Sequence, residues 1–178
     1  MTQRITDPEV QRLGTIAAAL AVDYVDLEQE NRWANSPFGW IRSRPSRQKG
    51  KIGEQLVAGW AAAKGLDVVR STSRDADRMI QGRLVEIKFS LLWKSNVYVF
   101  QQFRDQEYDH AFCLGISPFA AHAWVVPKEI ILGNTPSQHG GRAGTDTHWL
   151  HLSPDDPPAW LARYGPTLRR AFQIMHEF

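Results

Sequence analysis

Cysteine, net charge and long apolar runs are all scarce in this chain of 178 residues. The single cysteine, Cys113, excludes a disulfide within the chain and is typical of a reducing compartment. A formal net charge of +2 excludes a strong overall field, so any basic surface has to be local. No apolar run is long enough to span a bilayer, and no signal peptide pattern is present. We therefore expect a soluble, cytoplasmic protein without a membrane partner.

The length and the hydrophobic content of 43% fit one domain with a substantial core. No internal repeat or low-complexity tract interrupts the chain. We expect a single domain over residues 1–178, in which a helical arm and a basic loop (1–50) precede a central core (51–130). A glycine-rich loop, a strand and a helix would follow in residues 131–178.

The most informative stretch of the sequence is a predicted β-hairpin. Residues 78–80 suit a first strand, Gln81-Gly82 suits a tight turn, and residues 83–89 suit a second strand. Side chains alternate between the faces of a strand, so Glu86 and Lys88 share one face. The turn would bring the start of the first strand back beside them.

Asp77 lies at that start, and Glu54 lies on an apolar helix that precedes the hairpin. A Glu and a Lys on one strand face are ordinarily a surface ion pair of little energetic value. Paired carboxylates from adjacent strands, however, suit a hard divalent cation such as Mg²⁺. A lysine beside them can orient a water molecule or stabilise charge on a phosphate.

Asp77, Glu86-Ile87-Lys88 and the helical Glu54 together resemble the motif of the PD-(D/E)XK nuclease superfamily. Over residues 51–127 the chain looks like a type II restriction endonuclease. The resemblance implies an α/β fold with a restriction-endonuclease-like αβββαβ core, in which helices flank a central mixed sheet, plus N- and C-terminal helices. Ala76 stands where the family name has proline, so either Asp75 or Asp77 can be the ligand; Asp77 fits the hairpin better.

The resemblance also implies a chemistry, the Mg²⁺-dependent hydrolysis of phosphodiester bonds in double-stranded DNA, with Mn²⁺ as a substitute cation. Asp77, Glu86 and the main-chain carbonyl of Ile87 would hold the cation, and Lys88 would position the attacking water. Glu54 would hold a metal-bound water or a second cation. A homodimer is expected, because two identical sites matched to a palindrome cut both strands.

Three segments carry side chains suited to DNA. The run 42–51 holds five basic residues and no acid, and Pro45 and Gly50 predict a loop there. Lysine and arginine in such a loop would contact phosphates, whereas amides and cations further along would read base edges. Each segment also has an interpretation without DNA: the basic run as a solvated loop, the glutamines as partners in structural hydrogen bonds, and the glycine-rich stretch as a flexible linker. The candidate residues are Arg44, Arg47, Lys49, Lys51, Trp93, Lys94, Asn96, Gln101, Gln102, Gln138, His139 and Arg142.

Periodicity and helix-terminating residues predict the remaining elements. The predicted helices cover residues 7–33, 52–64, about 99–106, 127–132 and 158–176. The predicted strands outside the hairpin cover residues 66–70, 110–116, 121–126 and 147–152.

Three functions fit these features. The first is a sequence-specific restriction endonuclease, and the second is a structure-specific repair or recombination nuclease that cuts junctions or flaps. The third is a DNA-binding module on an inactive nuclease fold, which the presence of Asp77, Glu86 and Lys88 argues against.

Overall fold

The structure is a computed structural model that describes residues 6–138 and 146–178. The predicted DNA contacts His139 and Arg142 lie outside the described residues. The chain divides into two compact units, with the boundary after Asn35.

The first unit contains two helices, α1 (Pro8–Tyr24) and α2 (Leu27–Trp33). Asp7 caps α1, since its side chain accepts hydrogen bonds from the amides of the first turn. The prediction of one continuous helix over 7–33 is wrong, because Asp26 accepts from the Gln29 amide and starts a second helix. No residue of α1 is buried.

The second unit begins with a short 3₁₀ turn (Gly39–Ile41) and the helix α3 (Ser46–Ala63). Helix α3 starts six residues earlier than predicted, so part of the basic run is helical rather than a loop. Pro45 occupies the cap position, where its carbonyl accepts the amides of Gln48 and Lys49. Gly65 has a φ of +83° and ends the helix as predicted.

Within the described residues, the main sheet has five strands: β1 (Val68–Arg70), β2 (Arg78–Ile80), β3 (Arg83–Leu91), β5 (His110–Ile116) and β6 (Ala121–Pro127). Their order in the sheet is β1-β2-β3-β5-β6. Strands β3 and β5 are parallel and the other pairs are antiparallel, so the sheet is mixed, as expected. The predicted hairpin is confirmed, and both turn residues, Gln81 and Gly82, have positive φ.

A second sheet has the order β4-β8-β7, formed by β4 (Tyr98–Phe103), β7 (Ser137–Gln138) and β8 (Thr147–Leu152). The helix predicted near 99–106 is therefore wrong. Tyr98, Phe100 and Phe103 are all fully buried in a strand. A bulge between Phe100 and Phe103 accommodates one extra residue of β4. The connection from β3 to its parallel neighbour β5 thus passes through a strand of another sheet.

The C-terminal part contains α4 (Lys128–Asn134), a 3₁₀ turn (Ala159–Leu161) and α5 (Leu168–His176). The prediction of a helix over 158–176 is wrong for its first half. The carbonyls of Tyr164 and Pro166 accept main-chain amides of β6, which holds this segment extended beside the sheet. Helix α5 starts only after Thr167, whose side chain accepts the Arg170 amide.

The core of the second unit is dominated by large aromatic side chains from both sheets. Phe100 and Trp124 make an edge-to-face contact with ring centroids 6.4 Å apart, and both are fully buried. Within the described parts of the chain, no helix combines the length and the apolar character needed to cross a membrane.

Candidate active site

The site is built on β3, whose side chains alternate as the sequence predicts. Val85 and Ile87 are buried on one face, where α3 packs. Glu86 and Lys88 are half-buried on the opposite face, and their side chains are 16% and 17% exposed. This low exposure distinguishes them from an ordinary surface ion pair.

Asp77 is held beside Glu86 by main-chain hydrogen bonds. Its amide donates to the Val85 carbonyl at 3.1 Å, and its carboxylate Oδ2 accepts the Ile87 amide at 2.7 Å. The N–H and C=O of a strand residue point to the same edge of the strand. The Ile87 carbonyl therefore points to the edge where Asp77 lies, so three predicted oxygen donors share one region.

The ionisation of Asp77 is affected by its burial and by the neighbouring Glu86. Burial, followed by the negative charge of Glu86, raises the pKa of Asp77 above its usual range. The hydrogen bond from Ile87 and the charge of Lys88 act in the opposite direction but do not cancel the effect. Two carboxylates placed this closely are poorly satisfied by the protein alone, and a bound cation would relieve their repulsion.

Lys88 supplies the positive charge nearest to the carboxyl pair. Its Nζ lies 2.7 Å from Glu86 Oε1, and it lies 5.7 Å from the centroid of the Phe103 ring. The ammonium group thus has an aromatic ring of the second sheet and a carboxylate of the first as neighbours. This places a proton donor and a positive charge directly beside the oxygen donors.

Glu54 has a different environment from the one expected. It lies on α3, and its Oε2 is 2.7 Å from Lys51 Nζ and 3.7 Å from Arg78 NH1. Arg78 also donates to the main-chain carbonyl of Asp77 at 2.6 Å. Arg78 therefore connects the Glu54 side chain with the backbone of Asp77. The Glu54 carboxylate itself contacts two cationic side chains, those of Lys51 and Arg78. The catalytic role of Glu54 stays a prediction.

Arg78 is a residue that the sequence reasoning did not single out. It pairs with Val85 in the register of β2 and β3, so it faces the same side as α3. That position follows from strand alternation once the hairpin register is known. The position of Arg78 could thus have been inferred from the pairing of β2 with β3. An arginine as such does not indicate a place beside the site.

Asp75, the alternative ligand, is engaged elsewhere. Its carboxylate accepts the Gln106 side-chain amide at 3.3 Å and the Glu107 main-chain amide at 3.4 Å. These contacts tie Asp75 to the connection between β4 and β5. Asp77 is therefore the better candidate for the carboxylate that faces Glu86.

The basic residues predicted to bind phosphate lie at the start of α3 or just before it. Arg44, Arg47 and Lys51 are exposed, and Lys49 is partly exposed. Lys51 is the member of this group that contacts Glu54. These side chains thus reach solvent at the end of α3 that carries Glu54.

The other predicted DNA contacts are distributed over several loops and strands. Trp93 is 54% exposed and Lys94 is exposed. Asn96 donates to Asp155 at 2.7 Å, so its amide has a structural partner. The remaining candidates that the structure describes have varied exposure: Gln101 is partly exposed in β4, Gln102 is exposed at the bulge with a φ of +60°, and Gln138 is exposed in β7.

The donor set fits an octahedral oxygen-seeking cation better than a zinc-type ion. Among residues 6–138 and 146–178, no group of three or more His, Cys, Asp and Glu side chains is arranged to hold a metal ion. Two carboxyl groups and one carbonyl leave coordination positions for water and substrate oxygens. Such partial protein coordination is typical of Mg²⁺ in phosphate-processing sites.

No family model matches this sequence, and no curated protein matches it. Among solved structures, the bacterial homing endonuclease I-Ssp6803I is similar at 19% sequence identity and a TM-score of 0.49. The match covers 75% of this chain and 95% of that chain.

Proposed function

We propose that this protein is a Mg²⁺-dependent DNA endonuclease with the chemistry of the PD-(D/E)XK nucleases. The observation that carries the proposal is the half-buried cluster of Asp77, Glu86 and Lys88. Within it, the Glu86 carboxylate lies 2.7 Å from Lys88 Nζ, and burial together with the charge of Glu86 raises the pKa of Asp77. Acidic oxygens and an amine at such distances match the needs of phosphodiester hydrolysis.

Each residue of the cluster has a distinct task in this proposal. The carboxyl groups of Asp77 and Glu86 and the carbonyl of Ile87 would hold Mg²⁺, or Mn²⁺ in its place. The bound cation would supply Lewis acidity and lower the pKa of a bound water. Lys88 would orient that water through its Nζ and offset the charge that develops on the phosphate.

Contact with the DNA backbone is assigned to the cations near the start of α3. Arg44, Arg47 and Lys51 are exposed and would neutralise phosphates, so binding would weaken as salt concentration rises. The exposed Trp93 and the bulge at Gln102 are candidates for contacts to bases.

The finer assignment that we propose is a sequence-specific restriction endonuclease that acts as a homodimer. A palindromic site would require two identical copies related by a twofold axis. Size-exclusion chromatography with light scattering, with and without DNA, tests the dimer independently of cleavage.

The cleavage test uses plasmid and phage DNA with Mg²⁺, followed by sequencing of the fragment ends. Discrete bands support the proposal, whereas cutting of branched substrates alone would instead identify a structure-specific nuclease. DNA binding without any cutting in Mg²⁺ or Mn²⁺ would contradict the proposal and point to a binding module.

The site assignment predicts the outcome of two substitutions. Glu86→Ala and Lys88→Ala are each expected to abolish cutting while DNA binding, measured by a gel shift in Ca²⁺, is retained. Glu129→Ala removes an exposed carboxylate on α4 and serves as a control with unchanged cutting. Mg²⁺-dependent cleavage at the wild-type rate by both site variants would refute the assignment.

A further inference from the structure

The connection between β4 and β5 is fastened to the hairpin that carries the site. Gln106 and Glu107 hold the Asp75 carboxylate, as described above. Two residues further on, the Asp109 amide donates to the Leu84 carbonyl, and the Asp109 carboxylate accepts the Leu84 amide, both at 2.8 Å. A side chain that projects from this connection is therefore fixed relative to β3.

Tyr108 is such a side chain, and it is buried, with only 4% of its surface exposed. Its hydroxyl group has no hydrogen-bond partner among the described residues, although the oxygen is fully buried. Its ring lies under the ammonium group of Lys128, whose Nζ is 5.7 Å from the ring centroid. Lys128 Nζ also donates to the Gln106 carbonyl, so the cation over the ring is held by the same connection.

An unpaired buried hydroxyl group is unfavourable, because it loses its hydrogen bonds to water and gains none in return. A phenylalanine would fill nearly the same volume without this penalty. A tyrosine at this position is explained if the hydroxyl has a partner in the working state of the protein. Ordered water is the usual partner of a buried polar group of this kind.

The surroundings of the hydroxyl point to the site. Burial raises the pKa of Tyr108, and the charge of Glu86 is the next largest cause, followed by Cys113. Cys113 is the register partner of Lys88 in the parallel pair of β3 and β5, so it lies on the face of the site. The charge of Glu86 therefore acts on the hydroxyl, which keeps its proton and can donate a hydrogen bond.

We propose that Tyr108 is a positioning residue for the cation site, whose buried hydroxyl donates to a water molecule that is bound against the Glu86 carboxylate. The water would fix the orientation of Glu86 between the cation and Lys88. No bond is made or broken by Tyr108 itself. This inference rests on the proposed function, since it assigns a partner to the same site.

The test compares Tyr108→Phe with a matched control, Tyr98→Phe. The Tyr98 hydroxyl is also buried, but it is 2.9 Å from His122 Nδ1 and belongs to the aromatic core. Mn²⁺ affinity is measured without DNA, by the spin-resonance signal of the free ion, and cleavage rates and melting temperatures are measured beside it.

The proposal predicts opposite results for the two variants. Tyr108→Phe is expected to weaken Mn²⁺ binding by about 10-fold or more, as substitutions of residues that orient metal ligands do, while its melting temperature without metal stays level or rises. Tyr98→Phe is expected to melt at a lower temperature and to bind Mn²⁺ like the wild type.

Unchanged Mn²⁺ affinity in a folded Tyr108→Phe protein would overturn the inference while leaving the proposed function intact. A wild-type protein that neither binds Mn²⁺ nor cuts DNA would overturn both. A lower melting temperature of Tyr108→Phe without metal would also contradict the inference, because it would reveal a stabilising partner for the hydroxyl within the protein.

Discussion

Gly53 controls how closely α3 approaches the strand that carries the site. A Cβ atom built on Gly53 would overlap the side chain of Phe89, with only 2.6 Å to its Cγ. Phe89 follows Lys88 in β3, and Glu54 follows Gly53 in α3. The substitution Gly53→Ala should therefore move the helix away from β3 and disturb residues on both sides of the contact.

The magnitude follows from two opposing effects. Alanine stabilises a helix interior by about 1 kcal/mol relative to glycine. Forcing an extra carbon into a well-packed contact costs about 1–3 kcal/mol. Gly59 lies in the same helix and has nothing within 4 Å of an added Cβ, so Gly59→Ala shows the first effect alone. We expect Gly59→Ala to stabilise the protein by about 1 kcal/mol and Gly53→Ala to be about 1–3 kcal/mol less stable than Gly59→Ala.

Urea denaturation followed by tryptophan fluorescence measures both free energies of unfolding, and the cleavage assay measures the displacement of the site. Gly53→Ala is expected to cut DNA more slowly than Gly59→Ala. Equal stabilisation by the two substitutions would refute the close packing of α3 on Phe89, and with it the positioning of Glu54 by that contact.

Two further predictions concern ionisation and helix capping. Burial and the charge of Glu86 raise the pKa of Asp77 in the folded state above its value in the unfolded chain. Ionisation of this carboxyl group is therefore less favourable in the folded state, and the protein loses stability as pH rises through the folded pKa. Without metal, Asp77→Asn should thus melt above the wild type at about pH 7, and the difference should shrink towards about pH 4; a difference that does not depend on pH would contradict this. Thr167→Ala removes the cap of α5 and should cost about 1 kcal/mol of unfolding free energy in urea, with unchanged Mg²⁺ dependence of cutting.

The hairpin could be predicted because its signals are local. A turn dipeptide, alternating burial and flanking strand-forming residues all lie within residues 77–89, and the structure confirms their register. The proximity of Asp77 to Glu86 follows from that register alone. The strands 110–116 and 147–152 were also predicted correctly, since each consists of a short apolar or alternating run.

The errors arise where distant partners decide the local structure. Phe100 and Phe103 have helical spacing, but the backbone forms a strand because β8 supplies its hydrogen bonds across a bulge. The carbonyls of Tyr164 and Pro166 accept amides of β6, which delays the start of α5. Pro45 predicts a loop, but proline also suits the start of a helix, so the start of α3 does not follow from the residue type.

Within the site, the sequence indicated which residue types matter but not their neighbours. The partners of Glu54 could not be predicted, because Lys51 is in the same helix whereas Arg78 comes from another strand. The burial of Tyr108 likewise depends on how the connection from β4 to β5 folds back. No pattern in the sequence marks either arrangement.

The only cysteine of the chain lies directly beneath this site, opposite Lys88 in the parallel pair of β3 and β5. Its sulfur is fully enclosed, and burial raises the pKa of the Cys113 thiol, so the folded form resists alkylation. Because a strand side chain projects from the face of its sheet, the thiol can be modified only when the elements that cover this face move away. The rate at which Cys113 is labelled in the native protein therefore reports how often this face of the sheet opens. No introduced probe is needed.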